Sequence, residues 1–143
     1  MVVIVYLVRH ARAGHRETWE GDDDRLRPLD KRGLKQAEAL VAQLAERDFS
    51  RILSSPYTRC VQSVEPLAAA RGLQVEAVEA LAEGAGEAAA LELFRGLDSP
   101  AVASVHGDLA WDLLGETLKK GSTAVLDVTG EGVEVLERLD PPA

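Results

Sequence analysis

The chain has 143 residues, of which 46% are hydrophobic and 28% charged; this is the composition of a soluble globular protein with enough length for one hydrophobic core. The net charge of −8 and the lack of a Lys/Arg-rich run argue against general nucleic-acid binding. A single cysteine excludes an internal disulfide framework, so we expect a cytoplasmic protein, with residues 1–143 forming a single domain.

The first half of the chain begins with an apolar run and continues with a polar segment. Residues 2–8 are apolar and rich in β-branched side chains, which predicts a strand covered on both faces; the run is too short to span a membrane. Residues 11–32 are polar and predict a long loop, a feature that is often functional in a compact domain. Residues 33–47 predict a helix with one apolar face, formed by Leu34, Ala37, Leu40, Val41 and Leu44.

The next segment predicts a short strand followed by a second helix. Residues 51–54 form the strand, and the helix is expected to start near Tyr57 and to end before Gly72. Proline lacks the backbone N–H that a helix interior needs. We therefore expect Pro66 to kink or interrupt this helix.

The second half alternates strands and helices. The predicted elements are a strand at 73–78, a helix at 85–96, a strand at 101–105, a helix at 108–118 and a terminal hairpin of 123–128 and 133–139. Alternation of strands with helices implies a mostly parallel sheet with helices on both faces. The predicted fold class is therefore α/β, in three layers α/β/α.

Polar side chains follow the predicted strands at the point where each strand ends. Arg9 and His10 follow the first strand, Ser55 follows the second, and His106 follows the fourth. Arg59 lies in the first turn of the second helix, where free backbone N–H groups favour an anion. Since ligands bind at the carboxyl ends of strands in open α/β sheets, we expect these side chains to meet if their strands are parallel neighbours.

These residue types suit one kind of chemistry. A histidine such as His10 is able to act as a nucleophile, and an arginine such as Arg9 holds a phosphate through paired hydrogen bonds. A nucleophile surrounded by cationic and donor groups is what phosphoryl transfer requires. The sequence therefore predicts a phosphoryl-transfer pocket.

Four segments carry a resemblance to a known family: residues 8–11 (Val-Arg-His-Ala), 27–33, 55–59 and 105–108. In this order and spacing they resemble the histidine phosphatase superfamily, the group that includes the phosphoglycerate mutases. Residues 27–33 and 55–59, with the short length of the chain, are most similar to its small SixA-type phosphohistidine phosphatase branch. The resemblance implies a phosphoglycerate mutase-like fold across the whole chain.

The resemblance also implies a role for each matching residue. His10 would attack phosphorus and carry a transient phosphohistidine, while Arg9, Arg59 and His106 would bind the phosphoryl oxygens and stabilise charge in the transition state. Glu83 lies in a segment that resembles the one supplying a glutamic acid in larger relatives, which the small branch often lacks. Glu83 is therefore a candidate proton donor that the sequence leaves open.

Several charged residues of the long loop and the three histidines have more than one interpretation. Arg27 either closes over the far side of the substrate or forms an ion pair within the loop. The acidic run 22–24 is expected to face solvent. The histidines lack metal-ligand spacing, so we expect no metal and no cofactor.

Together, these patterns predict a metal-independent phosphatase that works through phospho-His10. By resemblance to the small branch, the leading substrate is a phosphohistidine on a protein, and no nucleic acid or membrane is expected as a partner. A small phosphorylated metabolite or nucleotide is the alternative, because similar domains also accompany nucleotide-hydrolysing modules. An alternative of another class is a phosphate-binding or interaction module without turnover.

Overall fold

A computed structural model describes residues 3–143, so Val2, predicted to begin the first strand, lies outside the described residues. In chain order the strands and helices are β1 (Val3–Arg9), α1 (Lys31–Gln43), β2 (Arg51–Ser54), α2 (Thr58–Arg71), β3 (Val75–Ala77), α3 (Glu87–Arg95), β4 (Ala101–Val105), α4 (Gly107–Leu114), β5 (Thr123–Thr129) and β6 (Gly132–Leu139). Short 3₁₀ turns occur at Arg16–Thr18, Asp24–Leu26 and Glu79–Leu81.

The strands form one sheet in the order β3-β2-β4-β1-β5-β6. The first four of these strands are parallel, whereas β5 runs antiparallel to β1 and β6 antiparallel to β5. The chain passes from β1 to β2 through α1 and later inserts β4 between them. The predicted mostly parallel sheet with a terminal hairpin is confirmed.

Helices cover both faces of the sheet, as the alternation of β1 side chains requires. Val5 and Leu7 belong to a core that includes residues of α3 and α4, whereas Tyr6 and Val8 belong to a second core that includes residues of α1 and α2. All four side chains are almost completely buried. The predicted three-layer α/β/α fold is therefore confirmed.

Helix α1 differs from its prediction at both ends. It begins at Lys31, two residues early, because the Asp30 carboxylate accepts the Gly33 N–H at 2.8 Å and caps the helix. It ends at Gln43 rather than at residue 47. The predicted apolar face was wrong at Leu34, which is 48% exposed, while the sheet-facing Leu40 is buried.

The structure contradicts the interruption of α2 at Pro66 and the predicted end of α4, while a kink at Pro66 stays a prediction. Helix α2 continues through Pro66, because the fully buried side chains of Val64 and Leu67 on either side fix it against the sheet despite the missing hydrogen bond. Helix α4 ends at Leu114, since Gly115 adopts a left-handed conformation with φ 69° that terminates it.

The 11–32 loop is fixed at both of its ends against α1. A small apolar cluster of Ala11, Ala13, Leu29 and Ala37 buries the loop ends. The Asp30 N–H donates to the Arg12 carbonyl at 2.9 Å, closing the loop on itself. The loop therefore holds its 3₁₀ turns over the edge of the sheet where β1 ends.

Candidate active site

The strand order places three functional side chains at one edge of the sheet. Strand β4 lies between β1 and β2, and backbone pairing continues one residue beyond the strands. The His10 N–H donates to the Val105 carbonyl at 3.0 Å, and the Ser55 N–H donates to the Ser104 carbonyl at 3.0 Å. His106 follows β4 directly, so its ring lies beside that of His10, with centroids 5.6 Å apart.

His10 is held as a neutral imidazole with one ring nitrogen available. Its Nδ1 lies 2.8 Å from the Ala11 carbonyl, and since a carbonyl only accepts, Nδ1 carries the proton. Burial, helped by the nearby charges of Arg59 and Arg9, lowers the pKa of His10 to about 3, although the hydrogen bond to the Ala11 carbonyl opposes this. At neutral pH the Nε2 lone pair is therefore free for nucleophilic attack.

His106 is also buried and neutral. It forms its hydrogen bond through Nε2, whereas His10 uses Nδ1. Its Nε2 lies 2.8 Å from Ser55 Oγ, and this oxygen already accepts the Tyr57 N–H at 3.2 Å. The hydroxyl has one proton to donate, and we assign it to the bond with Nε2, which leaves the His106 proton on Nδ1. Burial lowers the pKa of His106 to about 3, with Arg59 contributing in the same direction.

Arg59 lies in the first turn of α2 with a side chain that is 1% exposed. Its guanidinium donates to the Asp24 carbonyl at 2.8 Å and to Asp24 Oδ2 at 3.2 Å. It also stacks 5.0 Å from the centre of the Tyr57 ring. Arg59 is therefore a buried charge at the site and not a surface charge of the helix.

Arg9 links the end of β1 to the start of α4 and to the segment that follows it. Its guanidinium donates to the Leu118 carbonyl at 2.7 Å. A Cβ at Gly107 would lie 2.7 Å from Arg9 Cζ, so only glycine leaves room for the guanidinium at the first residue of α4. Burial lowers the pKa of Arg9 from its ordinary value, and the nearby Asp108 opposes this.

Three buried nitrogen atoms at this edge lack a hydrogen-bond partner among residues 3–143: Arg9 Nε, Arg59 Nε and His106 Nδ1. A buried donor without an acceptor costs about 1–3 kcal/mol. An anion bound among these side chains would offer the oxygens that such donors need. The arrangement therefore suits an oxyanion such as a phosphoryl group.

His10 lines a cavity of about 420 Å³, whose wall also includes Arg9, Arg59 and Glu83. The Glu83 carboxylate lies 3.7 Å from Arg59 and 3.8 Å from His106 Nδ1. Its turn is fixed to α4, because Asp108 accepts the Gly84 N–H at 2.9 Å. The structure thus brings Glu83 within reach of a group bound at His10, as a proton donor must be.

Arg27 also reaches the cavity wall, although its hydrogen bonds lie within the loop. It donates to Asp24 Oδ1 at 2.8 Å and to the carbonyls of Ala13 and Gly14 at 2.8 and 3.3 Å. These contacts correspond to the interpretation in which Arg27 forms an ion pair within the loop. A role for Arg27 in holding the substrate stays a prediction.

The expectation that the acidic run 22–24 faces solvent was wrong for Asp24. Its side chain is 28% exposed and lies against Arg27, Arg59 and, at 3.4 Å, Arg16. Burial raises the pKa of Asp24, but the hydrogen bond from Arg27 and the three arginine charges outweigh this and lower it below the usual value. Asp24 is therefore ionised and holds the loop to the site.

Sequence reasoning missed two other residues of the site. Arg16 binds Glu83 at 3.1 Å, yet in the sequence it is one of several loop arginines with nothing to distinguish it. Ser55 was recognised as a strand-end group without a role. Its signal is the position directly after β2, which faces the residue after β4 once the two strands are paired.

Comparison with known proteins gives the family. A model of the histidine phosphatase superfamily (branch 1) matches residues 5–103, which include Arg9, His10, Arg59 and Glu83. The chain belongs to the histidine phosphatase superfamily. The predicted resemblance is therefore confirmed at the level of the family.

Solved structures show the same fold. The SixA protein from Agrobacterium tumefaciens has a TM-score of 0.76 and 24% sequence identity, covering 96% of this chain and 97% of that one. A protein histidine phosphatase SixA complexed with tungstate has a TM-score of 0.76 at 20% identity, with coverage of 96% and 97%. The predicted phosphoglycerate mutase-like fold is thus confirmed.

A closer relative in sequence matches over a shorter region. The 8-oxo-(d)GTP phosphatase of Mycolicibacterium smegmatis is 53% identical over 64 residues, or 45% of this chain. Those residues are 20% of that protein, so the match spans about a fifth of the relative's length.

We expect the free energy of unfolding to fall as the pH is lowered from 7 to 5. A histidine in the unfolded chain titrates near pH 6.5, while His10 and His106 in the folded state titrate near 3, so the unfolded state binds more protons in this interval. Below pH 6.5 each histidine should remove about 1.4 kcal/mol per pH unit.

Urea unfolding at pH 7 and pH 5 measures this difference in stability. The His106→Asn variant should show roughly half of the wild-type difference, because one of the two buried histidines has been removed. Equal unfolding free energies at the two pH values in wild type would contradict two buried, neutral histidines.

Proposed function

We propose that this chain is a phosphatase that acts in two steps through a phosphohistidine on His10, without a metal ion. One observation supports it most: the neutral His10 ring keeps Nε2 available at the edge where Arg9 Nε, Arg59 Nε and His106 Nδ1 have no partner in residues 3–143. A nucleophile faced by unpaired donors is suited to attack on a phosphoryl group.

In the first step the Nε2 lone pair of His10 forms a bond to phosphorus. The bond from phosphorus to the leaving oxygen or nitrogen breaks, and the leaving group departs with the electron pair and takes up a proton. The arginines and His106 hold the phosphoryl oxygens, where charge develops. The Ala11 carbonyl, 2.8 Å from His10 Nδ1, stabilises the positive charge that the ring acquires.

In the second step water attacks the phosphorus of phospho-His10. The N–P bond breaks and returns its electron pair to Nε2, releasing phosphate and one proton. We propose that Glu83 donates the proton to the leaving group and then accepts the proton of the attacking water, because its carboxylate lies 3.8 Å from His106 Nδ1 at the cavity wall.

Two classes of substrate have support. A phosphohistidine side chain on a protein fits a short chain with an open cavity and the resemblance to the SixA-type branch. A small phosphorylated metabolite or nucleotide is favoured by the 53% identity to the 8-oxo-(d)GTP phosphatase over 64 residues. None of the helices in residues 3–143 has the length and apolar character needed to cross a membrane. We keep the cytoplasmic location and the single domain 1–143 as proposals.

The test is phosphate release in excess EDTA from phosphohistidine, p-nitrophenyl phosphate and a nucleoside monophosphate, measured side by side. We expect release from at least one, together with a phosphoenzyme that survives alkali and is lost in acid, as a phosphoramidate is. Phosphate binding without release from any substrate would make the chain a non-catalytic phosphate-binding module. Activity that disappears in EDTA would contradict the metal-free mechanism.

Replacing Glu83 by glutamine is expected to slow hydrolysis of an alkyl phosphate ester such as O-phosphoserine by about 100-fold, within the range for one general acid, because an alkoxide leaves poorly without a proton. Hydrolysis of phosphohistidine should fall by less than about tenfold, because an imidazole leaving group is readily protonated by water. Steady-state kcat/KM for both substrates measures this. Equal losses would remove Glu83 as the acid and leave it as a partner of Arg16.

A further inference from the structure

A second groove adjoins the catalytic cavity. It has a volume of about 610 Å³ and shares three wall residues with the cavity: Arg9, Thr117 and Lys120. Its remaining basic residues are Arg12, Arg32 and Lys119. The two spaces therefore adjoin each other at Arg9, Thr117 and Lys120.

The segment between α4 and β5 is fixed against the nucleophile strand. The Gly121 N–H lies 3.1 Å from the carbonyl oxygens of both Arg9 and His10, and Arg9 donates to the Leu118 carbonyl at 2.7 Å. These bonds hold Lys120, the residue before Gly121, beside the catalytic edge. The groove is thus a built continuation of the site and not a loose tail.

The groove gathers basic side chains that form no direct ion pair within residues 3–143, although the protein carries a net charge of −8. Asp108 and Asp30 act on Arg9 and Lys120 from a longer distance. Among residues 3–143, none of its five basic side chains has a carboxylate within 4.0 Å, whereas Arg47, Arg51 and Arg138 elsewhere are ion-paired. Asp140 is the acidic side chain in the described part of the groove wall. A cluster of unpaired cations beside a catalytic cavity attracts an anionic part of the substrate.

Mutual repulsion in the groove is reflected at Lys120. Burial lowers the pKa of Lys120 from its ordinary value, and the charges of Arg9, Arg12 and Arg27 lower it further, while Asp30 opposes them. A bound anion would relieve this repulsion. The cluster of basic side chains therefore favours an anionic group in the groove.

We propose that the groove is a second anion site, which binds a further phosphate of the substrate while the terminal phosphate lies at His10. The preferred substrate class would then be a small molecule with two or more linked phosphates, such as a nucleoside di- or triphosphate. This inference rests on the proposed function. It favours the small-molecule class over the phosphohistidine protein.

The chemistry of such a substrate fits the site. His10 Nε2 attacks the terminal phosphorus, and the bond to the bridging oxygen breaks, so that the electron pair stays on the departing phosphate. Lys120 and Arg12 would stabilise that anion as it forms. Water then hydrolyses phospho-His10 and releases orthophosphate and one proton.

The test compares inorganic orthophosphate and tripolyphosphate as competitive inhibitors of p-nitrophenyl phosphate hydrolysis, in excess EDTA. In wild type, the inhibition constant for tripolyphosphate should be at least about tenfold lower than that for orthophosphate. Lys120→Met should reduce this ratio by about fivefold, and added salt should also reduce it. Lys35→Met, the same change at an exposed lysine of α1 outside both walls, should keep the wild-type ratio.

Equal inhibition constants in wild type, or a ratio that Lys120→Met leaves unchanged, would overturn the second site. Calorimetric titration of the same anions into wild type and Lys120→Met separates the two proposals. A protein without turnover that still binds tripolyphosphate more tightly, in a way that depends on Lys120, would keep the groove and remove the phosphatase. Turnover without tighter binding of tripolyphosphate would keep the phosphatase and exclude the second anion site.

Discussion

Replacing His10 by alanine is expected to lower kcat by roughly 10⁴-fold or more, the order of loss seen when a catalytic nucleophile is removed. The geometry requires a loss of this size because His106, the nearest histidine, holds its Nε2 against Ser55 Oγ at 2.8 Å and cannot replace the missing nucleophile. The alkali-stable phosphoenzyme should disappear with the activity. Phosphate release and phosphoenzyme trapping on the same samples measure both.

The matched control is His15→Ala, which removes the third histidine of the chain, an exposed residue of the 11–32 loop that lines the same cavity as His10. Circular dichroism should show both variants folded, since an alanine at residue 10 keeps the backbone bond to Val105. A His10→Ala protein that retains more than about one hundredth of wild-type kcat would exclude His10 as the nucleophile. Equal losses in the two variants would point to a general effect on the cavity.

The catalytic edge was predictable because its signals are local. Each of His10, Ser55 and His106 follows directly on a run of buried strand residues, and parallel neighbours carry such residues to one edge. The two-sided burial of β1 likewise follows from a continuous apolar run. Each pattern therefore predicts both the strand and the edge of the sheet at which that strand ends.

The ion pairs that complete the site were not predictable, because they join residues far apart in the chain. Asp24 meets Arg59 across 35 residues, and Arg16 meets Glu83 across 67. No periodicity within the polar 11–32 loop distinguishes Asp24 from its two acidic neighbours. Asp24 differs from its neighbours only in the folded structure, where the path of the loop brings its carboxylate against Arg59.

The wrong helix ends have a similar explanation. Gly115 could either continue a helix at some cost or terminate it in a left-handed conformation, and it adopts the left-handed conformation. At Pro66 the local preference is to break α2, and burial of the flanking side chains overrides it. Helix propensity is a weak local preference, and tertiary packing overrides it where buried side chains stabilise the helix.

Replacing Arg59 by alanine is expected to reduce kcat/KM by about 100-fold, or about 3 kcal/mol, the scale of losing one preorganised donor. The guanidinium is 1% exposed, its Nε has no partner within residues 3–143, and it lies on the wall of the cavity that His10 faces. It also binds Asp24, so part of the loss could come from a loosened loop. Steady-state kinetics on p-nitrophenyl phosphate give the total effect.

Asp24→Asn separates the two contributions, since it removes the carboxylate charge that Arg59 binds and leaves the guanidinium in place. If Arg59 stabilises the transition state, Asp24→Asn should cost less than about tenfold, and millimolar guanidinium should restore part of the activity of Arg59→Ala. If Arg59 only anchors the loop, the two variants should lose the same activity and guanidinium should restore none. The first pattern is expected, because Arg59 lines the cavity and its Nε has no hydrogen-bond partner within residues 3–143, so the contacts with Asp24 do not use all of its donors.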